Sequence, residues 1–266
     1  MRISAPPKVG TREFFRLIGM MSKISEAQRL WQRFEDLPAT DYSVVRVLGY
    51  EAGHISILLA GGVNERSILA LCAEIDLAVG YYRYNRVRLL IDSPGGKLGC
   101  LEYFLSRLEG WRRDVHLRLA TTALTQAFSA AAIMLAMGEI GHRSAYPCAQ
   151  ILIHDTRIVL GDVLDRRQLA RLHRAVSAAD RRLLRKLAMH IHSKPTIERV
   201  RQNRHDSQGG AYPIFAGEKP PSAGRPAEYS ELVGTLRKVQ SMDAPLSADA
   251  AMQLGLIDYI ETGTSP

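Results

Sequence analysis

Val87-Arg-Leu-Leu-Ile91 runs directly into Asp92-Ser-Pro-Gly-Gly96. The first five residues form a short apolar run of the kind that is buried in a sheet. The next five carry a proline and two glycines, so the chain turns sharply there. Leu101, Phe104, Leu105 and Leu108 then recur at helical spacing, so a helix follows the turn. Strand, tight turn and helix make one unit of an α/β fold.

The same unit recurs on either side. Upstream, Ile55-Ser-Ile-Leu-Leu-Ala60 reads as a buried strand that Gly61-Gly62 ends. Asn64 is placed to cap a helix running to about Val79, with Ile68, Leu71, Cys72, Ile75 and Val79 as its apolar stripe. Downstream, Val115 to Ala120 reads as a third strand, Ala127 to Met137 as an alanine-rich helix, and Gln150-Ile-Leu-Ile153 as a fourth strand ending at His154. Alternating strands and helices predict an α/β fold with a largely buried sheet. A long amphipathic helix is expected from about Leu164 to His190, with Leu169, Leu172, Val176, Leu183 and Leu187 on one side. Residues 207–226 are rich in Gly, Pro and Ser and read as a loop. A helix from about Glu228 to Val239 follows, then a capped helix ending at Gly255 and a short strand. Residues 1–52 read as an N-terminal extension, with a helix expected over Ser25 to Glu35, and 53–262 as the main domain.

Bulk properties narrow the class. The chain has 266 residues, 46% hydrophobic and 23% charged, enough for a sizeable core. Cys72, Cys100 and Cys148 lie far apart with no CxxC pair, which argues against a disulfide framework or a zinc site and for a reducing cytoplasm. No apolar run approaches the ~20 residues needed to cross a membrane, and Met1 to Lys23 makes a poor secretory signal. The net charge of +8 raises the question of nucleic acid. Much of the excess lies in one helical stretch, Leu164 to Arg204, where a solvated arginine face is the simpler reading and an anionic partner the other. No cofactor or metal is expected.

Serine-based amide hydrolysis needs an exposed hydroxyl, a base, and backbone N–H groups aimed at the oxyanion. A strand that turns sharply into a helix supplies the first and the third, because the helix start has free N–H groups. Ser129 stands at such a place, though a serine near a helix start also serves as a cap. His154, at the end of the next strand, would lie near that helix start, or it is a structural histidine. Ser93-Pro-Gly-Gly96 is a turn whose glycines let backbone approach a ligand closely.

In this order the three segments resemble the Clp protease proteolytic subunit family. Its pattern is "IxSPGG", then "GxAASMGA", then "hhIHxP"; here the segments read LLIDSPGG (89–96), TQAFSAAA (125–132) and ILIHDT (151–156). The serine-to-histidine spacing of 25 residues is that of the family. ISILLAGGVNE resembles its "IIFLTGEVNE", and DAPLSADAAMQLGLID (243–258) resembles "DRFLSAPEAVEYGLVD". The resemblance implies the ClpP/crotonase fold, a spiral of ββα units with an extended handle helix. It implies Ser129 as nucleophile, His154 as base, Asp243 as the acid, and the N–H groups of Gly96 and Ala130 as the oxyanion hole. It also implies polypeptide substrates, a homo-oligomeric ring and an AAA+ unfoldase partner, with no membrane association. Asp206, in IERVRQNRHD, is a second candidate acid, because it resembles "IERDTERD". Thr125 and Ala131 replace two family glycines, and Asp155-Thr156 replaces the family's "QP".

Three readings follow: an active serine endopeptidase, a catalytically silent subunit of a mixed ring, and a crotonase-type acyl-CoA enzyme on the shared fold. A Ser/His pair at this spacing is not what acyl-CoA chemistry requires. A membrane protease with a Ser–Lys dyad is a fourth by fold, but no anchor is visible.

Overall fold

The structure, a computed structural model, describes residues 43–51, 54–157, 165–192 and 229–261. Strand β1 (Ser43–Glu51) pairs antiparallel with β2 (His54–Gly61). Helix α1 (Glu65–Gly80) leads to β3 (Arg86–Ser93), α2 (Leu98–Val115) to β4 (Arg118–Phe128), and α3 (Ala130–Ala136) to β5 (Arg143–Ala145) and β6 (Gln150–Leu152). The long helix α4 (Arg166–His192), α5 (Tyr229–Met242), β7 (Leu246–Ser247), α6 (Ala248–Gln253) and β8 (Tyr259–Ile260) complete the described chain. The sheet runs β1-β2-β3-β4-β5-β8, with β6 beside β4 and β7 beside β6. The pairs between β2 and β3, β3 and β4, β4 and β5, and β4 and β6 are all parallel.

The core follows from strand alternation. Ile55, Ile57 and Leu59 of β2 and Val87, Leu89 and Ile91 of β3 have no exposed surface. They pack with Ile68, Leu71 and Ile75 of α1 and Leu101, Phe104 and Leu108 of α2. The alternate residues Leu58 and Leu90 turn to the other face and are half-buried. Helix α1 begins where the sequence places it. Asn64 Oδ1 accepts from the Ser67 N–H at 3.0 Å, and Ser67 Oγ accepts from the Asn64 N–H at 3.0 Å, a reciprocal capping box.

Four expectations change. Ser43–Glu51, which the sequence reading assigns to the N-terminal extension, is a strand of the sheet paired with β2. Its register shifts between Val47 and Gly49, and Leu48 is 52% exposed there, so the bulge interrupts the alternation that marks a strand. The third strand is later and longer than Val115 to Ala120. Val115 ends α2, His116 takes a left-handed φ of 53°, and β4 continues through the threonines to Phe128. The alanine-rich helix starts at Ala130 rather than Ala127, because Ala127 and Phe128 pair with Ile151 and Leu152. Strand β5 carries no strand signal in the sequence; it is three residues long and opens on a buried arginine. The expected helix over 25–35, the loop over 207–226 and Asp206 lie outside the described residues.

Helix α4 divides into two halves. From Asp165 to Ala175 every residue but Leu172 is exposed, Leu169 at 47%. Ala179, Leu184, Leu187 and Ala188 are buried. The first turns therefore stand clear of the described body while the last turns pack on it. Among the described residues no helix is long and apolar enough to cross a membrane.

Candidate active site

On the side away from β3, strand β4 serves two neighbours. Thr121–Ala123 pair with β5, and Gln126–Phe128 pair with β6. Because β4 and β6 are parallel with Phe128 opposite Leu152, the residues that follow them leave the sheet at the same edge. Ser129 follows β4 directly, and His154 is the second residue after β6.

Ser129 has φ 54° and ψ −120°, a left-handed conformation that a non-glycine residue adopts at a cost of roughly 1–3 kcal/mol. Its N–H donates to the Leu152 carbonyl at 2.6 Å, and its carbonyl accepts from the Ile133 N–H at 3.2 Å. The backbone is thus committed on both sides. The hydroxyl is not used as a helix cap.

The Ser93–Gly96 turn is pressed against this residue. The Val63 N–H donates to the Gly95 carbonyl at 2.8 Å, and the Lys97 N–H to the Val63 carbonyl at 2.8 Å. With its two flanking residues bonded to Val63, the Gly96 N–H is turned the other way. Gly95 has φ 86°, and a Cβ on it would lie 2.4 Å from the Phe128 carbonyl oxygen and 2.7 Å from Ser129 Cβ. A Cβ on Gly96 would lie 2.1 Å from the Val63 carbonyl oxygen. Gly95→Ala is therefore expected to displace the serine turn. A shift of about 1 Å lowers a reaction rate by about 100-fold, which fluorophosphonate labelling of Ser129 in the purified variant would measure.

His154 Nδ1 lies 2.6 Å from the Asp155 carbonyl oxygen. A carbonyl only accepts, so Nδ1 carries the hydrogen and Nε2 is left as the basic nitrogen. Ser129, Ala130, His154, Gly95 and Gly96 all line one cavity of about 690 Å³. Leu101, Ile133, Ile153 and Leu184 supply its apolar wall, and Lys97, Arg157 and Asp180 its charged rim.

Asp243 is not among the cavity-lining residues. It stands one residue past α5 with φ 48°, and Arg157 Nη2 donates to its two carboxylate oxygens at 2.7 and 3.0 Å. Among the described residues no hydrogen bond joins Ser129 to His154 or His154 to Asp243. The structure thus brings Ser129, His154, Gly96 and Ala130 together and leaves Asp243 beside Arg157. Arg157 carries no signal in the sequence, because nothing local ties it to an aspartate 86 positions away. Of the two residues that replace family glycines, Thr125 is exposed in the irregular stretch of β4 and donates to Asp92 Oδ1 at 2.5 Å. Ala131 is fully buried in α3.

The far end of α3 is held by three cationic or ring donors. Arg143 Nη1 donates to the Ala136 carbonyl at 3.1 Å, Arg112 Nη2 to that of Met137 at 2.5 Å, and His190 Nε2 to that of Gly138 at 2.7 Å. Donors at a helix C-terminus satisfy its orphan carbonyls, and cations there oppose its dipole. Arg143 also forms a buried pair with Asp258, Nη2 to Oδ1 at 2.6 Å. Burial pushes the Asp258 carboxyl up, but Arg143 and the N–H groups of Arg143 and Gly141 outweigh it and hold the group below its usual range.

Burial, with Arg143 and Arg112 adding to it, pushes His190 down to about 4. Its folded pKa lies below the unfolded 6.5, so this stabilisation is present above 6.5 and is lost as pH falls toward 4. Glu74 acts in the opposite sense, since burial raises it to about 7. His190→Gln keeps a donor but removes the titration. Urea unfolding of the variant and the parent at pH 7 and pH 4.5 is expected to show the parent losing roughly 2 kcal/mol more, with Glu74 cancelling in the difference.

A family model described as Clp protease matches residues 42–206. The ATP-dependent Clp protease proteolytic subunit 1 of Corynebacterium efficiens is 31% identical over 150 residues, 54% of this chain and 66% of the relative. Subunit 2 of Corynebacterium jeikeium is 35% identical over 111 residues, 41% of this chain and 51% of the relative. Subunit 3 of Nocardia farcinica is 35% identical over 112 residues, 41% and 49% of the two chains. The chain spans about half to two thirds of the length of these curated relatives.

Proposed function

The chain belongs to the Clp protease family and has its ClpP-like α/β fold, and on that premise we propose that it is a serine endopeptidase cleaving unfolded polypeptides or peptides through an acyl-enzyme. Ser129 attacks the scissile carbonyl and His154 Nε2 takes its proton. The Gly96 and Ala130 N–H groups receive the oxyanion, and Asp243 orients the histidine once it is free to reach it. The observation that carries this reading is Ser129 itself. Its hydroxyl caps nothing, its backbone is held left-handed, and it shares a cavity with His154 and the Gly95-Gly96 backbone. Treating the chain with a fluorophosphonate and locating the adduct by mass spectrometry tests it. Labelling at Ser129 is expected, and labelling elsewhere, or none, counts against it.

A second reading is a catalytically weak subunit with a structural role in a mixed ring. The pairing of Asp243 with Arg157 favours it. Family membership favours peptide hydrolysis over acyl-CoA chemistry.

The domain is proposed to run from β1 to β8, with an inserted Gly/Pro-rich stretch at about 207–226 and an extension before residue 43. The first turns of α4, with Leu169 and Leu172 outside the described body, support a homo-oligomeric, ring-stacked assembly. Light scattering at micromolar concentration is expected to give a multimer mass that falls as salt screens the arginines Arg166, Arg167, Arg171 and Arg174; a monomer at low salt would refute the assembly. An AAA+ unfoldase partner and a cytoplasmic location complete the proposal. It includes no membrane, nucleic acid or cofactor.

A further inference from the structure

We infer that Arg157 is a positioning residue that withholds Asp243 from His154, so that the site is latched until that ion pair opens. The inference rests on the reading of Asp243 as the acid of the site. His154 and Arg157 stand at the two ends of one short segment, His154-Asp155-Thr156-Arg157, just after β6. Thr156 Oγ1 donates to Asp180 Oδ1 of α4 at 2.5 Å, which anchors this segment at the cavity rim. From there the Arg157 guanidinium reaches Asp243, and among the described residues that carboxylate's hydrogen bonds go to Arg157. His154 meanwhile spends its one Nδ1–H on the Asp155 carbonyl. An imidazole has a single Nδ1 hydrogen, so a bond to Asp243 requires two exchanges. Nδ1 must leave Asp155, and Asp243 must turn from Arg157.

The latch is built to open. The Arg157 and Asp243 side chains are 68% and 52% exposed, and an exposed pair is weak and screened by salt. Asp243 sits in a single left-handed residue between α5 and β7, so a change at one residue redirects its carboxylate. Arg157 also lines the cavity, so whatever fills the cavity meets the latch directly.

The test is the rate at which a fluorophosphonate labels Ser129 in the full chain, measured at low and high ionic strength. Arg157→Ala, with Arg157→Gln as a second release variant, is expected to label about two- to fivefold faster than the parent, the range an exposed pair controls. Arg157→Lys keeps the charge and is expected to label at the parent rate. The parent rate should rise with salt and that of Arg157→Ala should not. In an Asp243→Asn background, Arg157→Ala should change nothing. If Asp243→Asn lowers labelling but both release variants equal or trail the parent, the latch is wrong and the reading of Asp243 stands. If Asp243→Asn has no effect in either background, Asp243 is not the acid and the latch falls with it.

Discussion

Ser129→Ala is expected to abolish peptide hydrolysis, a loss of about six orders of magnitude, while the chain keeps its fold and assembly. The hydroxyl makes no capping bond, so removing it leaves α3 intact. An alanine inherits the same left-handed backbone, held by Leu152 and Ile133, and so adds no strain beyond that already present. His154→Ala should lose about as much, because nucleophile and base act as one unit and the second loss adds little to the first. Turnover of an unstructured fluorogenic peptide measures both. Circular dichroism and light scattering on the same samples separate lost chemistry from lost structure. Parent-level turnover in Ser129→Ala would remove this serine from the mechanism altogether.

Asp243→Asn carries the next largest expected effect, a fall of about four orders of magnitude in turnover by the assembled, unlatched protein. Asparagine fits the same space but can present an amide N–H to His154, which favours the wrong tautomer. Asp206→Asn should leave turnover nearly unchanged. Asp243 lies between α5 and β7, and β7 pairs with β6, the strand that leads to His154. That connection ties the position of the aspartate to that of the histidine, and an orienting carboxylate has to be held to within about half an ångström. The opposite ranking of the two variants would transfer the role to Asp206.

Local chemistry made much of this protein legible. The helix start at Asn64 needs only Asn64 and Ser67, and both lie within one turn. Buried strands β2 and β3 announce themselves as apolar runs closed by turns that contain glycine. The Ser129 and His154 segments were found by motif and register, and both residues line the cavity. Strand β1 is not legible in the sequence for a physical reason: its bulge breaks the period of two that marks a strand. The start of α3 reads too early in the sequence because Ala127 and Phe128 are compatible with helix and become strand only by pairing with β6.

The amino-acid sequence by itself determined the α/β order, the cap of α1, the glycine turn and the placing of Ser129 and His154 just after strands. Each of these depends on residues close along the chain or on short segments in fixed register. Tertiary structure alone decided that Ser129 is left-handed with a hydroxyl that does not cap α3, that Gly95 has no room for a Cβ, and that Arg157 holds Asp243. Those facts come from backbones meeting across the sheet and from charges 86 positions apart, and no local propensity encodes which distant partner a side chain will find.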